Sequence, residues 1–164
     1  MVRSKRFSLA VIAIAALAAL AAASLALAAE TTRAEYVAAV EPICKTNTKA
    51  NERILGGVRA EVKKGKLGPA SKQFSKAASA LKKTLAQLKA VPQPSADQAK
   101  LARWLQYVGA EASLFEATAK KLKVGDKTGA QAMVIRLTHN ANLANNLVAS
   151  FEFEYCRFEP SRFT

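Results

Sequence analysis

The chain has few of the residues that build metal and multi-disulfide sites. Its 164 residues contain one histidine, His139, and two cysteines. These counts exclude zinc fingers, His-rich metal sites and disulfide-rich scaffolds. The sequence has neither a CxxCH haem-attachment motif nor a Glu-x-x-His motif for a di-iron site. Its 7 glycines and 5 prolines are too few for a collagen-like or low-complexity chain. We expect no cofactor and no metal.

Recognisable catalytic groups are also scarce. The chain has 12 Asp and Glu against 25 Lys and Arg, a net charge of +13. Glu41, Glu111 and Glu116 lie beside apolar residues on predicted helices, where we expect them to be solvated partners of cations. His139 lies opposite the apolar face of its predicted helix and is expected at the surface. We therefore predict a non-enzymatic protein, and an enzyme using carboxylates alone is the open alternative.

The N-terminal segment has the pattern of a secretory signal peptide. Basic residues precede an alanine-rich apolar run over residues 9–27, and residues 26–28 (Ala-Leu-Ala) form a small-x-small cleavage site. We predict a signal peptide over residues 1–28 and an exported domain over residues 29–164. A run of about 20 apolar residues is also long enough to span a membrane. An uncleaved N-terminal membrane anchor is therefore the alternative.

Cations are concentrated in the first half of the predicted mature chain. Residues 59–89 contain nine cations and one acid, Glu61. The candidate contact surface for anions consists of Lys63, Lys64, Lys66, Lys72, Lys76, Lys82, Lys83 and Lys89. Such side chains bind the phosphates of anionic cell-envelope polymers or lipid headgroups by releasing counterions. The alternative is a solvated face that only keeps the protein soluble. Specific nucleic-acid binding is not expected, because no aromatic residues are interleaved on this face.

Apolar residues recur at spacings of three and four, which indicates amphipathic helices. Thr32 and Glu35 form a capping box before the first helix, and Pro42 inside it predicts a kink or a later start. Short connections favour an all-α, antiparallel up-down-up-down four-helix bundle. The four helices are predicted at about residues 33–64, 69–90, 96–123 and 127–157.

The two cysteines fit this topology. Cysteines in an exported chain are expected to pair, because the compartment is oxidising. In an up-down-up-down bundle the start of the first helix lies beside the end of the fourth, where Cys44 and Cys156 fall. We predict that a Cys44–Cys156 disulfide joins the first and last helices. That pairing would place Asn51 near Ala149.

Asparagine, a poor helix former, is concentrated in the fourth predicted helix. Asn140 and Asn145 flank its apolar face and could bind Asn47 and Asn51 on the first helix. This pattern predicts a polar layer that determines how the helices align. The alternative is a polar pocket in the bundle core that holds a small ligand.

The C-terminal residues allow two interpretations. Residues 151–155 alternate as Phe-Glu-Phe-Glu-Tyr, as a half-buried strand would. A lone strand has no partner in an all-helical chain, and Phe151, Tyr155 and Phe158 also recur at helical spacing. We therefore predict helix here, followed by a short aromatic tail. The tail either covers the end of the bundle or docks another protein.

Three short motifs carry a resemblance to known proteins. They are residues 33–37 (Arg-Ala-Glu-Tyr-Val), 42–44 (Pro-Ile-Cys) and 155–156 (Tyr-Cys). With them the chain resembles a group of uncharacterised exported, Ala- and Lys-rich helical proteins of high-GC Gram-positive bacteria. The resemblance covers most of the predicted mature chain. It implies an extracytoplasmic helical protein with one terminal disulfide, and it brings no catalytic or binding residues.

These observations favour an exported binding or structural module of the cell envelope. Its partner is expected to be an anionic polymer, lipid headgroups or another protein. The alternative function is a soluble extracytoplasmic carrier of a small ligand.

The signal peptide makes the first testable prediction. Protein produced in an exporting bacterium should begin at Ala29, because signal peptidase cuts after the small-x-small site. The intact mass of the purified protein measures this directly, with cytoplasmically produced protein as the uncleaved control. Export with residues 1–28 still attached would contradict cleavage and favour the membrane anchor.

Overall fold

Helices account for nearly all of the regular structure between residues 30 and 160, the part of the chain that the computed structural model describes. We name the helices α1 (Arg33–Leu55), α2 (Val58–Lys63), α3 (Leu67–Ala90), α4 (Gln98–Lys123) and α5 (Lys127–Leu147). Two short 3-10 turns, Ser95–Asp97 and Ala149–Phe151, complete the set. The all-helical prediction is confirmed for this range. The predicted signal peptide lies outside the described residues.

The first helix begins at the predicted capping box. The Thr32 hydroxyl accepts a hydrogen bond from the Glu35 N–H (3.2 Å), and the Glu35 carboxylate accepts one from the Thr32 N–H (2.8 Å). The Thr32 N–H and the Thr32 hydroxyl, which both donate to the Glu35 carboxylate, lower the pKa of Glu35. The helix continues through Pro42, so a later start is wrong. Because proline has no N–H, the Ala38 carbonyl receives no helical hydrogen bond from Pro42.

The single helix predicted over residues 33–64 is two helices. Gly57 has a φ of 78°, in the left-handed region that favours glycine. The chain leaves α1 there and forms α2 from Val58. The apolar spacing continues across the break through Val58 and Val62, which is why periodicity alone did not reveal it.

The helices α3 and α4 form the centre of the fold. Helix α4 packs against α3 and α5, whereas α1 and α2 pack against α3. Ser71 donates to the Ala119 carbonyl (2.8 Å) inside the α3–α4 interface. We expected the first and last helices to pair along their length. Within residues 30–160, however, α1 and α5 share few contacts. None of the helices in this range is long and apolar enough to cross a membrane.

The predicted disulfide is confirmed, but it does not join two helices. Cys44 of α1 is bonded to Cys156, which lies in a non-helical segment beyond α5. Helix α5 ends at Leu147, and the prediction of helix to residue 157 is wrong. We call residues 152–158 the C-terminal segment. It begins at Glu152, whose φ of 54° turns the chain back towards α1.

Burial alternates along this part of the chain. Phe151 and Phe153 are buried, whereas Glu152 and Glu154 are exposed. The Phe153 ring lies 5.4 Å from the Trp104 ring and 5.3 Å from the Phe151 ring, measured between centroids. Burial therefore follows the period-two pattern over residues 151–154, although the segment is bent and forms no strand, and the helical interpretation was wrong.

Helix side chains supply the hydrogen bonds that a neighbouring strand would provide. The Glu41 carboxylate accepts from the backbone N–H groups of Glu154 and Tyr155, both at 2.8 Å. The Asn145 amide donates to the Phe158 carbonyl (2.8 Å) and accepts from the Phe158 N–H (2.9 Å). The C-terminal segment is thereby held between α1 and α5.

Arg33 joins three parts of the fold at the start of α1. Its Nε and Nη2 donate to the two carboxylate oxygens of the buried Asp97, at 2.9 and 2.8 Å. Its guanidinium also lies 4.8 Å from the centre of the Phe151 ring. Hydrogen bonding from Arg33 lowers the pKa of Asp97, so the pair is ionised at neutral pH.

Removing the disulfide tests how strongly it stabilises this arrangement. Cys44 and Cys156 are 112 residues apart in the sequence, and closing a loop of that length is worth about 4–5 kcal/mol in the chain-entropy model. The Cys44→Ala, Cys156→Ala variant should lose that much free energy of unfolding in urea titrations. Reduced wild-type protein is the matched control and should behave like the variant. Equal unfolding midpoints for the variant and the oxidised protein would contradict the prediction.

Candidate functional site

The structure places the predicted cationic residues at the surface. All eight lysines are exposed, and in the part of the chain that is described only Lys82 among them pairs with a carboxylate, Glu116 at 2.6 Å. That pairing lowers the pKa of Glu116 and confirms its expected role as an ion-pair partner. The lysines comprise Lys63, Lys64 and Lys66 around the α2–α3 turn, and Lys72, Lys76, Lys82, Lys83 and Lys89 on α3.

Three of these lysines lie along one side of α3. Lys72, Lys76 and Lys83 are separated by four and seven residues, spacings that return to the same side of a helix. We call these three residues the lysine stripe. The opposite side of α3 carries the buried Phe74, Ala78 and other core residues. The side chains of the stripe therefore point away from the core.

The four asparagines do not form one layer across α1 and α5. Asn140 donates to the Tyr107 carbonyl on α4 (3.0 Å), and Asn145 binds the backbone of Phe158. Asn47 and Asn51 lie in a different environment on α1. Asn140 and Asn145 thus bind backbone groups, and among the described residues no hydrogen bond joins either of them to Asn47 or Asn51.

Asn47 and Asn51 line a small polar cavity together with Glu111. The cavity has a volume of about 30 Å³, which is room for roughly one water molecule. The Oδ1 atoms of both asparagines and the Oε2 atom of Glu111 are buried and find no hydrogen-bond donor among the described residues. Tyr155 and Phe158 of the C-terminal segment also line this cavity. The C-terminal segment therefore forms one wall of the cavity.

Glu111 differs most from its expectation. It is only 1% exposed, so the expected solvated role is wrong. Burial raises the pKa of Glu111 well above its ordinary value, because a low-dielectric interior disfavours the charged form. A neutral carboxyl group can also donate one hydrogen bond to an acceptor such as an asparagine carbonyl. Glu41, the remaining candidate acid, binds backbone N–H groups of the C-terminal segment.

The single histidine and the acidic residues are dispersed over the described part of the chain. His139 is exposed, as expected. Between residues 30 and 160 no group of three or more His, Cys, Asp or Glu side chains could hold a metal ion. The cavity beside Glu111 admits a water molecule but is too small for an organic substrate.

Comparison with models of known protein families, with curated proteins and with solved structures gives no match. The candidate function therefore rests on the exposed cations and on the shape of the surface that carries them.

The buried carboxyl group predicts an unusual pH dependence. The folded protein retains a proton on Glu111 that the unfolded chain releases above its ordinary pKa of 4.5. Below that pH Glu111 is protonated in both states, and its ionisation does not lower the free energy of unfolding. The free energy of unfolding should fall by up to about 1.4 kcal/mol per pH unit as the pH rises towards the folded-state pKa of Glu111. The Glu111→Gln substitution keeps the side-chain volume and removes the ionisable group. The free energy of unfolding of this variant should therefore lack the decline.

Urea unfolding across a pH series compares the two proteins. Glu116→Gln is the matched control because its carboxylate is already ionised in the folded protein, and its profile should stay parallel to the wild type above about pH 5. Parallel profiles for wild type and Glu111→Gln would contradict a buried neutral carboxyl group.

Proposed function

We propose that this protein is an exported, non-enzymatic binding module of the cell envelope. In this proposal its lysines contact phosphate groups of an anionic polymer or of lipid headgroups. The observation that carries the proposal is the lysine stripe: Lys72, Lys76 and Lys83 are exposed on one side of α3. None of the three has a carboxylate partner within residues 30–160. A face of one charge without internal neutralisation attracts a polyanion.

The position of α3 supports this proposal. The helix is packed against α1, α2 and α4, so the spacing between the lysines is held by the fold. Lys72 and Lys83 are eleven residues apart, which corresponds to about 16 Å along the helix axis. An extended phosphate polymer or a membrane surface can meet all three ammonium groups at once. Binding of this kind should weaken steeply as salt is added.

We also propose the antiparallel up-down-up-down arrangement of the bundle. Ser71 near the start of α3 binds Ala119 near the end of α4, and Lys82 binds Glu116. Farther along, Leu85 approaches Gly109. Residue numbers therefore rise on α3 as they fall on α4. The disulfide supports the proposed export, because disulfides form and persist in oxidising compartments.

The two alternatives have weaker support. A carrier of a small ligand in the core would need a cavity of about 300–1,000 Å³, whereas the polar cavity has about 30 Å³. A docking tail would present its aromatic residues, whereas Phe158 is half-buried and its backbone binds Asn145. The other aromatic residue of the predicted tail, Phe163, lies outside the described residues. These contacts favour the interpretation that the C-terminal segment covers its own bundle.

Neutralising the stripe tests the proposal. The Lys72→Gln, Lys76→Gln, Lys83→Gln variant should bind roughly 100-fold more weakly, because each lysine near an anionic surface contributes about 1 kcal/mol. The measurement is co-sedimentation across a salt series with vesicles of equal parts phosphatidylglycerol and phosphatidylcholine. A parallel assay with poly(glycerol phosphate) distinguishes a polymer from a lipid surface.

The matched control removes the same charge elsewhere. Lys49, Arg103 and Arg136 are exposed on α1, α4 and α5, and their triple change to Gln should cost much less binding. Equal losses in the two triple variants would show that only net charge matters. Unchanged binding in the stripe variant would contradict the proposal.

A further inference from the structure

An apolar groove opens beside α2, away from the lysine stripe. It has a volume of about 300 Å³. Phe74, Leu122 and Ala130 form a floor of buried side chains, each at most 5% exposed. The walls come from α2 on one side and α5 on the other. The apolar lining residues are Val58, Val62, Phe74, Leu122, Ala130 and Val134.

The groove exists because α2 does not continue α1. The glycine pair at 56–57 ends α1, and the six residues of α2 pack against α3. At the level of Cys44, the C-terminal segment lies against α1. At the level of α2 no described segment takes that place. The groove there stays open above the buried floor, and Val62 and Val134 remain only half-buried.

The rim of the groove is cationic. Arg59 and Lys63 lie on α2 and Lys127 begins α5, and all three are exposed. Val58 and Val62, like Arg59 and Lys63, are four residues apart, so each pair follows one side of α2. No acidic residue lines the groove. Among the described residues these three cations have no carboxylate partner either.

We propose that this groove binds a single-chain anionic amphiphile, a fatty-acid carboxylate. The acyl chain would lie on the apolar floor, and the carboxylate would be bound by Arg59, Lys63 and Lys127. Charge complementarity determines the sign of the headgroup, and the fork of donors on arginine suits a carboxylate. A volume near the lower end of small-molecule pockets suits one chain of medium length.

This site is distinct from the lysine stripe in what it requires. The stripe would bind phosphates by charge alone, and Lys72, Lys76 and Lys83 do not line the groove. A phosphate polymer has no apolar part that could lie against the half-buried Val62 and Val134 in the groove. Binding in the groove should therefore depend on chain length, which binding to the stripe should not.

Calorimetric titration with sodium octanoate, decanoate and dodecanoate below their micelle concentrations tests the proposal. We expect one binding site, with affinity rising about tenfold for each two added methylene groups until the acyl chain is longer than the groove. Dodecyltrimethylammonium has the same chain and the opposite charge, and it should bind at least tenfold more weakly. Equal affinity for the two headgroups would overturn the proposal, as would affinity independent of chain length.

Two variants locate the site. Val134→Trp fills the groove and should abolish dodecanoate binding while vesicle binding is retained. The Lys63→Glu, Lys127→Glu variant changes only exposed residues, so it should fold normally and weaken binding at least tenfold. Cooperative thermal unfolding verifies that each variant is folded. Undiminished binding of dodecanoate by the folded variants would overturn the proposal.

Two controls distinguish the groove from the charged and apolar surfaces elsewhere on the protein. Lys72→Glu, Lys76→Glu makes the same change in charge outside the groove, and dodecanoate affinity should stay within about twofold, because exposed charges this distant are screened. Ile135→Ser, Leu143→Ser removes exposed apolar residues from another surface and should also leave binding intact. A loss in either control equal to that in the groove variants would overturn the proposal. Vesicle binding without dodecanoate binding would overturn it too, while leaving the proposed function standing.

Discussion

The arrangement of this fold depends on hydrogen bonds from helix side chains to the backbone of the C-terminal segment, which is bent and irregular. Backbone N–H and C=O groups outside helices and sheets need other hydrogen-bond partners, and here helix side chains provide them. Glu41 accepts from two consecutive backbone N–H groups, and Asn145 pairs with both backbone groups of Phe158. Cys44 follows Glu41 by three residues on α1, so the covalent bond and the carboxylate act on the same stretch of chain. Together they fix the C-terminal segment against α1.

The position of the C-terminal segment against α1 affects the packing of α5 and the cavities of the protein. Since the C-terminal segment lies along α1, helix α5 packs mainly against α4. Asn47 and Asn51, together with Glu111, line a small polar cavity of which the C-terminal segment forms one wall. Farther along, the chain breaks at Gly57 and α2 turns onto α3, which leaves the apolar groove. The disulfide and the apolar groove thus lie at different levels of the bundle.

Much of the helical framework could be predicted from the sequence, because local signals coincide with it. The Thr32 capping box begins α1, and the side chain of Asp126 caps α5 through the Gly129 N–H. The disulfide was also predicted correctly, although Cys156 is not helical as assumed. The C-terminal segment could not be predicted in this way. Alternation of apolar and charged residues indicates a strand, and a strand needs a second strand to pair with. Carboxylate and amide side chains can replace that strand, and periodicity contains no sign of them.

A candidate site could be predicted from the sequence where it depends on position along one helix, and could not where it depends on how two helices pack. Exposure of the lysines follows from helix geometry alone, since their positions lie off the apolar face. Burial of Glu111 was also readable, because it stands three residues after Val108 and four before Phe115, both buried. At this position the place on the apolar face of the helix outweighs the preference of a carboxylate for solvent. The groove could not be predicted, because the relation between α2 and α5 depends on how the chain turns at Gly57. A binding surface made by a break between elements is visible only once the elements are packed.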